Sequence, residues 1–145
     1  MPTQNHWYRC NKCQGLFFAT SSEGVCPADH KEHEHLGSWD YTLVQNSPFD
    51  PGQKLWRWCH KCQGLYFFGG IGQGVCPVGQ GHDHTGSGNY SLTISNVVPV
   101  GSEGNWRWCK KCSGMFFSGG VKQGQCPAGQ AHDHTGSGQY VLAHP

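Results

Sequence analysis

The apolar residues of this chain occur in short runs that are separated by stretches rich in Gly, Pro, Ser and other polar residues. In the middle of the chain the runs read WRWC (56–59), GLYFF (64–68) and YSLTI (90–94). The last run alternates between apolar and polar positions and contains β-branched residues, which is typical of a strand; no long stretch shows the period of an amphipathic helix. The pattern therefore predicts an all-β protein built from short strands.

A set of unusual residues recurs three times in the same order, and the first cysteines of successive copies lie 49 and 50 residues apart. A fixed period of this length is the signature of a tandem array. The second and third copies match closely, whereas the first is looser. We assign one domain, 1–145, that contains repeat one (7–44), repeat two (56–94) and repeat three (106–142), joined by linkers at 45–55 and 95–105.

The chain has nine cysteines, three in each repeat, and a His-x-His pair follows each trio. An odd number of thiols cannot pair into disulfides within a repeat. Three thiolates and one imidazole form a closed tetrahedral donor set for Zn²⁺, which is typical of structural sites. We therefore predict three structural zinc ions, each bound by one histidine of its pair; the alternative is one disulfide and one free thiol per repeat in an oxidising compartment. The candidate ligands are Cys10, Cys13, Cys26, His33 and His35 in repeat one, Cys59, Cys62, Cys76, His82 and His84 in repeat two, and Cys109, Cys112, Cys126, His132 and His134 in repeat three.

Units of roughly 50 residues are too small to bury a full core alone, which leaves two possible architectures. In the first, three zinc-ribbon-like beads fold independently, each around its own ion. In the second, three pseudo-symmetric repeats close around a threefold axis as in a β-trefoil, and each repeat contributes a further strand around its third cysteine. We favour the β-trefoil-like closure, because the aromatic strands of all three repeats then share one core.

The residues around the first cysteines resemble known zinc-binding modules. Cys59 and Cys62, followed by Gly64, resemble one knuckle of a zinc ribbon. The full pattern W-x-W-C-x-K-C-x-G-[LM]-[FY]-F, with H-x-H-x-G-S-x-x-Y behind it, resembles tandem modules of bacterial-type secreted binding proteins, and the repeat plan is similar to that of β-trefoil lectins. The second knuckle of a ribbon is replaced here by Cys76-Pro77 and the histidine pair. The resemblance implies that the repeats are binding modules, but the docking role of a zinc ribbon is not carried over to them.

Composition and charge narrow the possible functions. The formal net charge of +1 provides no basic face for nucleic acid. No apolar run approaches the roughly 20 residues needed to cross a bilayer. The first residues lack the regions of a signal peptide, so we expect a protein that is cytoplasmic as synthesised or released by a leaderless route. A closed zinc site has no open position for substrate, and a single carboxylate recurs with the repeat, so we do not expect an enzyme.

Each repeat also carries aromatic and polar residues that zinc binding does not require. Flat aromatic rings stack on sugar faces, while acids and amides bind hydroxyl groups. We predict a multivalent, lectin-like protein that binds glycans; the alternatives are a zinc-ribbon-type module for protein or nucleic acid, and a self-assembling scaffold. Repeat one has Trp39 and Asp40 in place of Gly88 and Asn89, so we expect it to bind differently or not at all. The candidate ligand-binding residues are Trp58, Tyr66, Asp83, Asn89 and Tyr90 in repeat two, and Trp108, Phe116, Asp133, Gln139 and Tyr140 in repeat three.

Overall fold

The protein is an all-β chain, as the apolar pattern predicts. The computed structural model describes residues 2–20, 22–70, 72–120 and 123–145, and within these ranges it contains nine strands and no helix. The strands are β1 (Thr3–Arg9), β2 (Leu16–Phe18), β3 (Tyr41–Gln45), β4 (Gln53–Trp58), β5 (Leu65–Phe67), β6 (Tyr90–Ile94), β7 (Ser102–Trp108), β8 (Met115–Phe117) and β9 (Tyr140–Ala143). Each repeat contributes three of them.

Every repeat has the same internal pairing. The first strand pairs antiparallel with the short second strand and, on its other edge, with the third, so that β4 lies between β5 and β6. Each pairing of the first and third strands contains a register shift; in repeat two it falls between Gln53 and Trp56. These equivalent pairings confirm that the three repeats are pseudo-symmetric.

Pairing between repeats follows a closed cycle. The third strands pair with one another as β3–β6, β6–β9 and β3–β9. Three isolated bridges repeat the cycle at the second strands, joining repeat one to repeat two, two to three, and three to one. Independent beads would have no such pairing, so the repeats close around a pseudo-threefold axis. The more specific likeness to a β-trefoil stays a prediction.

The prediction of a fourth strand in each repeat, around the third cysteine, is wrong for the described residues. This segment forms turns and loops in all three repeats. Its backbone does not pair with a neighbouring strand of its own repeat; Val25 N–H instead donates to the carbonyl of Cys62 in the next repeat, at 3.4 Å. The segment is therefore held by a neighbouring metal-binding turn.

One apolar core is shared by all three repeats. Its largest members are Trp7, Trp56 and Trp106, each with 0% of its surface exposed. Each indole meets the edge of a tyrosine from another repeat: the ring centroids of Trp56 and Tyr140 are 5.4 Å apart at 81°, and the other two pairs repeat this geometry. Such edge-to-face pairs contribute about 0.5–1.5 kcal/mol each beyond the burial of their area. Within the described ranges, no helix has the length and apolar character needed to span a membrane.

Candidate metal centres and surface clefts

Each repeat brings three cysteine sulfurs and one histidine nitrogen to within 4.8 Å of one another. All of these side chains are buried. In repeat two, for example, Cys59 Sγ and Cys76 Sγ are 3.9 Å apart, and Cys62 Sγ lies 3.6 Å from the Nδ1 atom of His82. The three clusters are Cys10, Cys13, Cys26 and His33; Cys59, Cys62, Cys76 and His82; and Cys109, Cys112, Cys126 and His132.

These separations fit zinc rather than disulfides. Zinc–sulfur bonds of about 2.3 Å at tetrahedral angles place two sulfurs about 3.8 Å apart, and a zinc–nitrogen bond of about 2.0 Å places sulfur and nitrogen about 3.5 Å apart. A disulfide would require a sulfur–sulfur distance of about 2.05 Å. All nine cysteines are free. The donor set, its burial and its spacing therefore fit three structural zinc ions.

The turn that holds the first two cysteines is fixed by its backbone. In repeat two the amide of Cys59 donates to the carbonyl of Gly64 at 2.9 Å, and the amide of Gln63 donates to the carbonyl of Cys59 at 2.8 Å. The residue with positive φ is Gln63, at 70°, and its equivalents in the other repeats behave alike. The glycine that follows does not have a positive φ, and a Cβ atom on Gly64 would lie 3.4 Å from Cys62 Sγ, which is close but ordinary contact.

The structure separates the two histidines of each pair. The first one lies in the cluster and its ring stacks on an aromatic side chain of the second strand; His82 and Tyr66 are 4.5 Å apart at 21°. The second one lies outside the cluster: His35 bonds Glu23 at 2.7 Å, and His84 lies against Phe68 with ring centroids 4.4 Å apart. His33, His82 and His132 are therefore the metal-ligand candidates, and His35, His84 and His134 are not placed to ligate.

The other nitrogen of each ligand histidine reaches into the next repeat. The Nε2 atom of His82 donates to the carbonyl of Cys112 at 3.1 Å, and equivalent bonds run from His33 to Cys62 at 3.2 Å and from His132 to Cys13 at 3.1 Å. A donated bond from Nε2 leaves Nδ1 free to bind metal, and such second partners orient the imidazole. The three centres are therefore joined in a ring of hydrogen bonds, which the sequence alone does not reveal.

A glycine before each third cysteine allows this contact. Gly24, Gly74 and Gly124 have φ values of 69°, 70° and 77°. A Cβ atom on Gly74 would lie 2.1 Å from the carbonyl oxygen of Cys112, well inside van der Waals contact. The same clash recurs at the other two glycines, so only glycine permits this approach of one repeat to the next.

Replacing Gly74 with alanine is expected to lower the free energy of unfolding of the zinc-loaded protein by at least about 2 kcal/mol, through backbone strain and the clash with Cys112. The matched control is Gly72→Ala, since Gly72 has a φ of 81° but no atom within 4 Å of its added Cβ. Urea denaturation of both variants measures the difference. Equal losses of stability would show that the contact between repeats contributes nothing.

Within each cluster the pKa values of the thiols are shifted in opposite directions. Hydrogen bonds from Cys13 and Cys26 lower the pKa of Cys10, and equivalent bonds lower the pKa of Cys59 and Cys109. The pKa of Cys13 is raised, because its hydrogen bonds stabilise the thiolate of Cys10 and because Cys13 is fully buried. Cysteine binds zinc as the thiolate, so metal binding releases the protons that these thiols carry.

Two equivalent clefts open between neighbouring repeats. Cleft A, of about 410 Å³, lies between repeats one and two and is lined by Gln4, Phe18, Gln45, Asn46, Trp58 and residues 86–88. Cleft B, of about 270 Å³, lies between repeats two and three and is lined by Gln53, Phe67, Ile94, Trp108 and residues 136–138. The buried rings of Tyr90 and Tyr140 form part of the two linings, and each tyrosine hydroxyl donates at 2.6 Å to a glutamine of the preceding repeat.

Only some of the predicted ligand-binding aromatics reach these clefts. Trp58 and Trp108 are half-buried and line them. Tyr66 and Phe116, which we predicted as ligand-binding residues, are fully buried and stack on the ligand histidines, so neither reaches a cleft. Consecutive residues of a strand face opposite sides, and both sides of the second strand are buried: one faces the shared core, the other a metal cluster.

The predicted polar ligand residues serve mainly in turns. Asp83 accepts hydrogen bonds from the amide and hydroxyl of Thr85, at 3.0 and 2.7 Å, and these bonds lower the pKa of its carboxyl group. Asp133 repeats this arrangement. Asn89 accepts a bond from the amide of Leu55 at 3.0 Å. Asp83, Asp133, Asn89 and Gln139 lie outside the residues that line the two clefts.

A smaller apolar depression lies where the three repeats meet. It is lined by equivalent residues of every repeat, including the second ligand cysteine, the ligand histidine and the proline after the third cysteine. Its volume of about 40 Å³ has room for little more than one water molecule. The depression is therefore too small to hold a ligand of the size that the clefts could take.

Comparisons of this chain with family models, with curated proteins and with solved structures give no significant match. The fold and the sites define it as a three-repeat, Cys-rich, metal-binding protein of the all-β class. Its resemblance to secreted binding modules and to trefoil lectins stays a prediction from the sequence.

Proposed function

We propose that this chain is a non-enzymatic, multivalent carbohydrate-binding protein whose fold is stabilised by three structural zinc ions. The observation that carries the proposal is the pair of equivalent clefts A and B, each walled by the half-buried indole of Trp58 or Trp108. Small-ligand sites are typically clefts of about 300–1,000 Å³ that are lined by aromatic rings and a few polar groups; cleft A lies within this range and cleft B just below it.

The lining of cleft A suits a hydroxylated ring. The side chains of Gln4, Gln45 and Asn46 offer amide donors and acceptors, while Trp58 and Phe18 offer apolar surface. Trp58 is held in place by a hydrogen bond of 2.9 Å from its Nε1 atom to Gln63. A rigid apolar wall facing adaptable amides matches the two faces of a sugar.

Cleft B has the same plan with a more apolar lining. Ile94 stands where cleft A has Gln45, and the Nε1 atom of Trp108 is buried without a hydrogen-bond partner among the described residues, because Ser113 replaces Gln63. We expect this donor to be available to a ligand after small movements. The two clefts therefore favour related rings of different polarity, and binding both to one surface would add avidity.

Neither the metal centres nor the clefts offer the groups that catalysis would need. Three sulfurs and a nitrogen complete the coordination of zinc and leave no position for a substrate or a reactive water. Among the described residues, the linings of clefts A and B include no carboxylate. A glycosidase would need a pair of them across the bound sugar.

The test is binding of monosaccharides and short glycans to the zinc-loaded protein, first across a broad array and then by NMR titration. We expect two sites per chain, and loss of one site in each of the variants Trp58→Ala and Trp108→Ala. Phe49→Ala is the matched control, because Phe49 is 95% exposed and lies outside both clefts. Unchanged zinc content would show that the variants remain folded.

Absence of binding across the whole array would refute this function and favour the alternative, a zinc-ribbon-type module for protein or nucleic acid. With a net charge of +1, nucleic acid would be bound weakly. A gel-shift assay at low salt separates the two partners.

A further inference from the structure

Pseudo-threefold symmetry requires a third position equivalent to clefts A and B, between repeats three and one. The tyrosine of this position is Tyr41, which donates to Glu103, as Tyr90 donates to Gln4 and Tyr140 to Gln53 in the two clefts. Here, however, the turn carries a tryptophan. Trp39 stands where cleft A has Gly88 and cleft B has Gly138.

The indole of Trp39 lies flat on the ring of His144, with ring centroids 3.9 Å apart and planes at 10°. His144 directly follows β9, at the position that Gln45 and Ile94 occupy at the ends of β3 and β6. Gln45 and Ile94 line the clefts A and B. His144 is therefore the third counterpart of these cleft-lining residues, and Trp39 covers it.

The glycines of the two open clefts point at the same neighbours. A Cβ atom on Gly88 would lie 2.9 Å from the side-chain oxygen of Gln45, and one on Gly138 would lie 3.5 Å from Ile94. A side chain at either position would thus extend into its cleft, as Trp39 extends over His144. Glycine keeps clefts A and B open, whereas tryptophan covers the third position.

We propose that Trp39 is an internal occupant of the third inter-repeat site, and that its stacked indole marks the class of ligand that clefts A and B accept: a compact ring system, no larger than an indole, with a flat apolar face. The ligand class deepens the proposed function and rests on it; the occupation of the third site by Trp39 does not. The number of open sites is then two, rather than one per repeat.

The residue that lies beneath the bound ring is expected to determine which ligand each site prefers. His144 in the third site offers an aromatic surface, Gln45 in cleft A offers an amide, and Ile94 in cleft B offers a branched aliphatic side chain. Cleft A should therefore prefer a ring with more hydroxyl groups, and cleft B one with a methyl or deoxy face.

Two reciprocal variants test the proposal in the full-length, zinc-loaded protein. Trp39→Gly installs the residue of the open clefts and should open the third site. Arg9, whose guanidinium lies 5.0 Å from the ring centroid of Phe117, stands there in place of Trp58 and Trp108, so we expect this site to bind more weakly than clefts A and B. Gly138→Trp installs the residue of the closed site and should fill cleft B; its added Cβ makes only ordinary contacts, at 3.5 Å and beyond. Zinc content confirms that each variant is folded.

The first probe is free indole, which reproduces the ring of Trp39, and the readout is the number of saturable sites in an NMR titration. We expect two sites in the wild type, three in W39G and one in G138W, with the His144 ring signals shifting on indole binding only in W39G. A count that does not rise in W39G, or does not fall in G138W, overturns the proposal.

Monosaccharides are the second probe, and they separate this inference from the proposed function. Sugar counts of two, three and one would support both. Indole counts of two, three and one without sugar binding would refute carbohydrate binding while leaving Trp39 as the occupant of the third site. Sugar binding with unchanged counts in both variants would refute the role of Trp39 alone.

Discussion

Replacing His82 with alanine is expected to reduce the zinc content from three ions per chain to two and to lower the free energy of unfolding by about 3 kcal/mol or more. The variant removes one of the four donors of the repeat-two cluster and leaves three cysteines without the nitrogen that completes the tetrahedron. Binding free energy at a structural zinc site is folding free energy, so loss of the ion is expected to be strongly destabilising.

The same substitution acts beyond its own repeat. It removes the hydrogen bond from His82 Nε2 to the carbonyl of Cys112 and the stacking of the imidazole on Tyr66. We therefore expect the repeat-three ion, whose ligand turn loses this partner, to be released at a lower chelator concentration than in the wild type. The repeat-one cluster keeps the bond from His132 to Cys13, but its own His33 donates to the carbonyl of Cys62, which lies in the turn that loses its ion. We therefore expect a smaller effect on the repeat-one ion, because its ligand histidine still has an acceptor.

His84→Ala is the matched control, since His84 belongs to the same His-x-His pair but lies outside the cluster, against Phe68. Zinc content after dialysis against a weak chelator, together with urea denaturation, measures both effects. The control should retain three ions and most of its stability. Loss of zinc in His84→Ala with retention in His82→Ala would show that the pair is assigned in the wrong order.

A peptide of residues 53–94 should remain unfolded with an equimolar amount of zinc, although it contains a complete Cys3His set. Its third strand, β6, pairs with both β3 and β9 of the other repeats, and its Trp56 packs against Tyr140. Removing those partners exposes the apolar face that the whole chain buries, and a unit of about 40 residues cannot replace it.

Circular dichroism and NMR of the peptide with zinc, compared with the full chain under the same conditions, measure this dependence. We expect dispersed strand signals from the full chain and none from the peptide. A peptide that folds on adding zinc would support independent beads, and the pairings between repeats would then contribute little to stability.

Local spacing made the metal centres predictable. The three cysteines and the histidine pair lie within a short segment of each repeat, so their order in the sequence limits what they can form. The distances within each cluster agree with the donor set that the spacing indicates. Alternation in runs such as YSLTI identified β6 and its equivalents, because one face of each strand is buried in a common core.

The choice between the two histidines depends on segments that are distant in sequence. His82 is selected by the ring of Tyr66 from the hairpin and by the carbonyl of Cys112 from the next repeat. Neither partner lies beside it in the chain, so local pattern could not distinguish His82 from His84. The absence of a strand around Cys76 has the same origin, because the backbone there bonds to the neighbouring repeat.

The burial of the aromatic residues in the second strands could not be predicted for a different reason. A strand with apolar residues at consecutive positions must bury both faces or expose one, and sequence alone does not decide between these outcomes. In β5 both faces are buried, with Leu65 in the shared core and Tyr66 against the metal cluster. Trp58 differs because it lies at the end of β4, where the sheet opens into cleft A.

Elemental analysis of the purified full-length protein, combined with a count of reactive thiols, tests the central claim most directly. The three Cys3His clusters predict three zinc ions per chain and nine cysteines that react only after the metal is removed by a chelator. Oxidised cysteines in a protein that contains no metal would contradict the account.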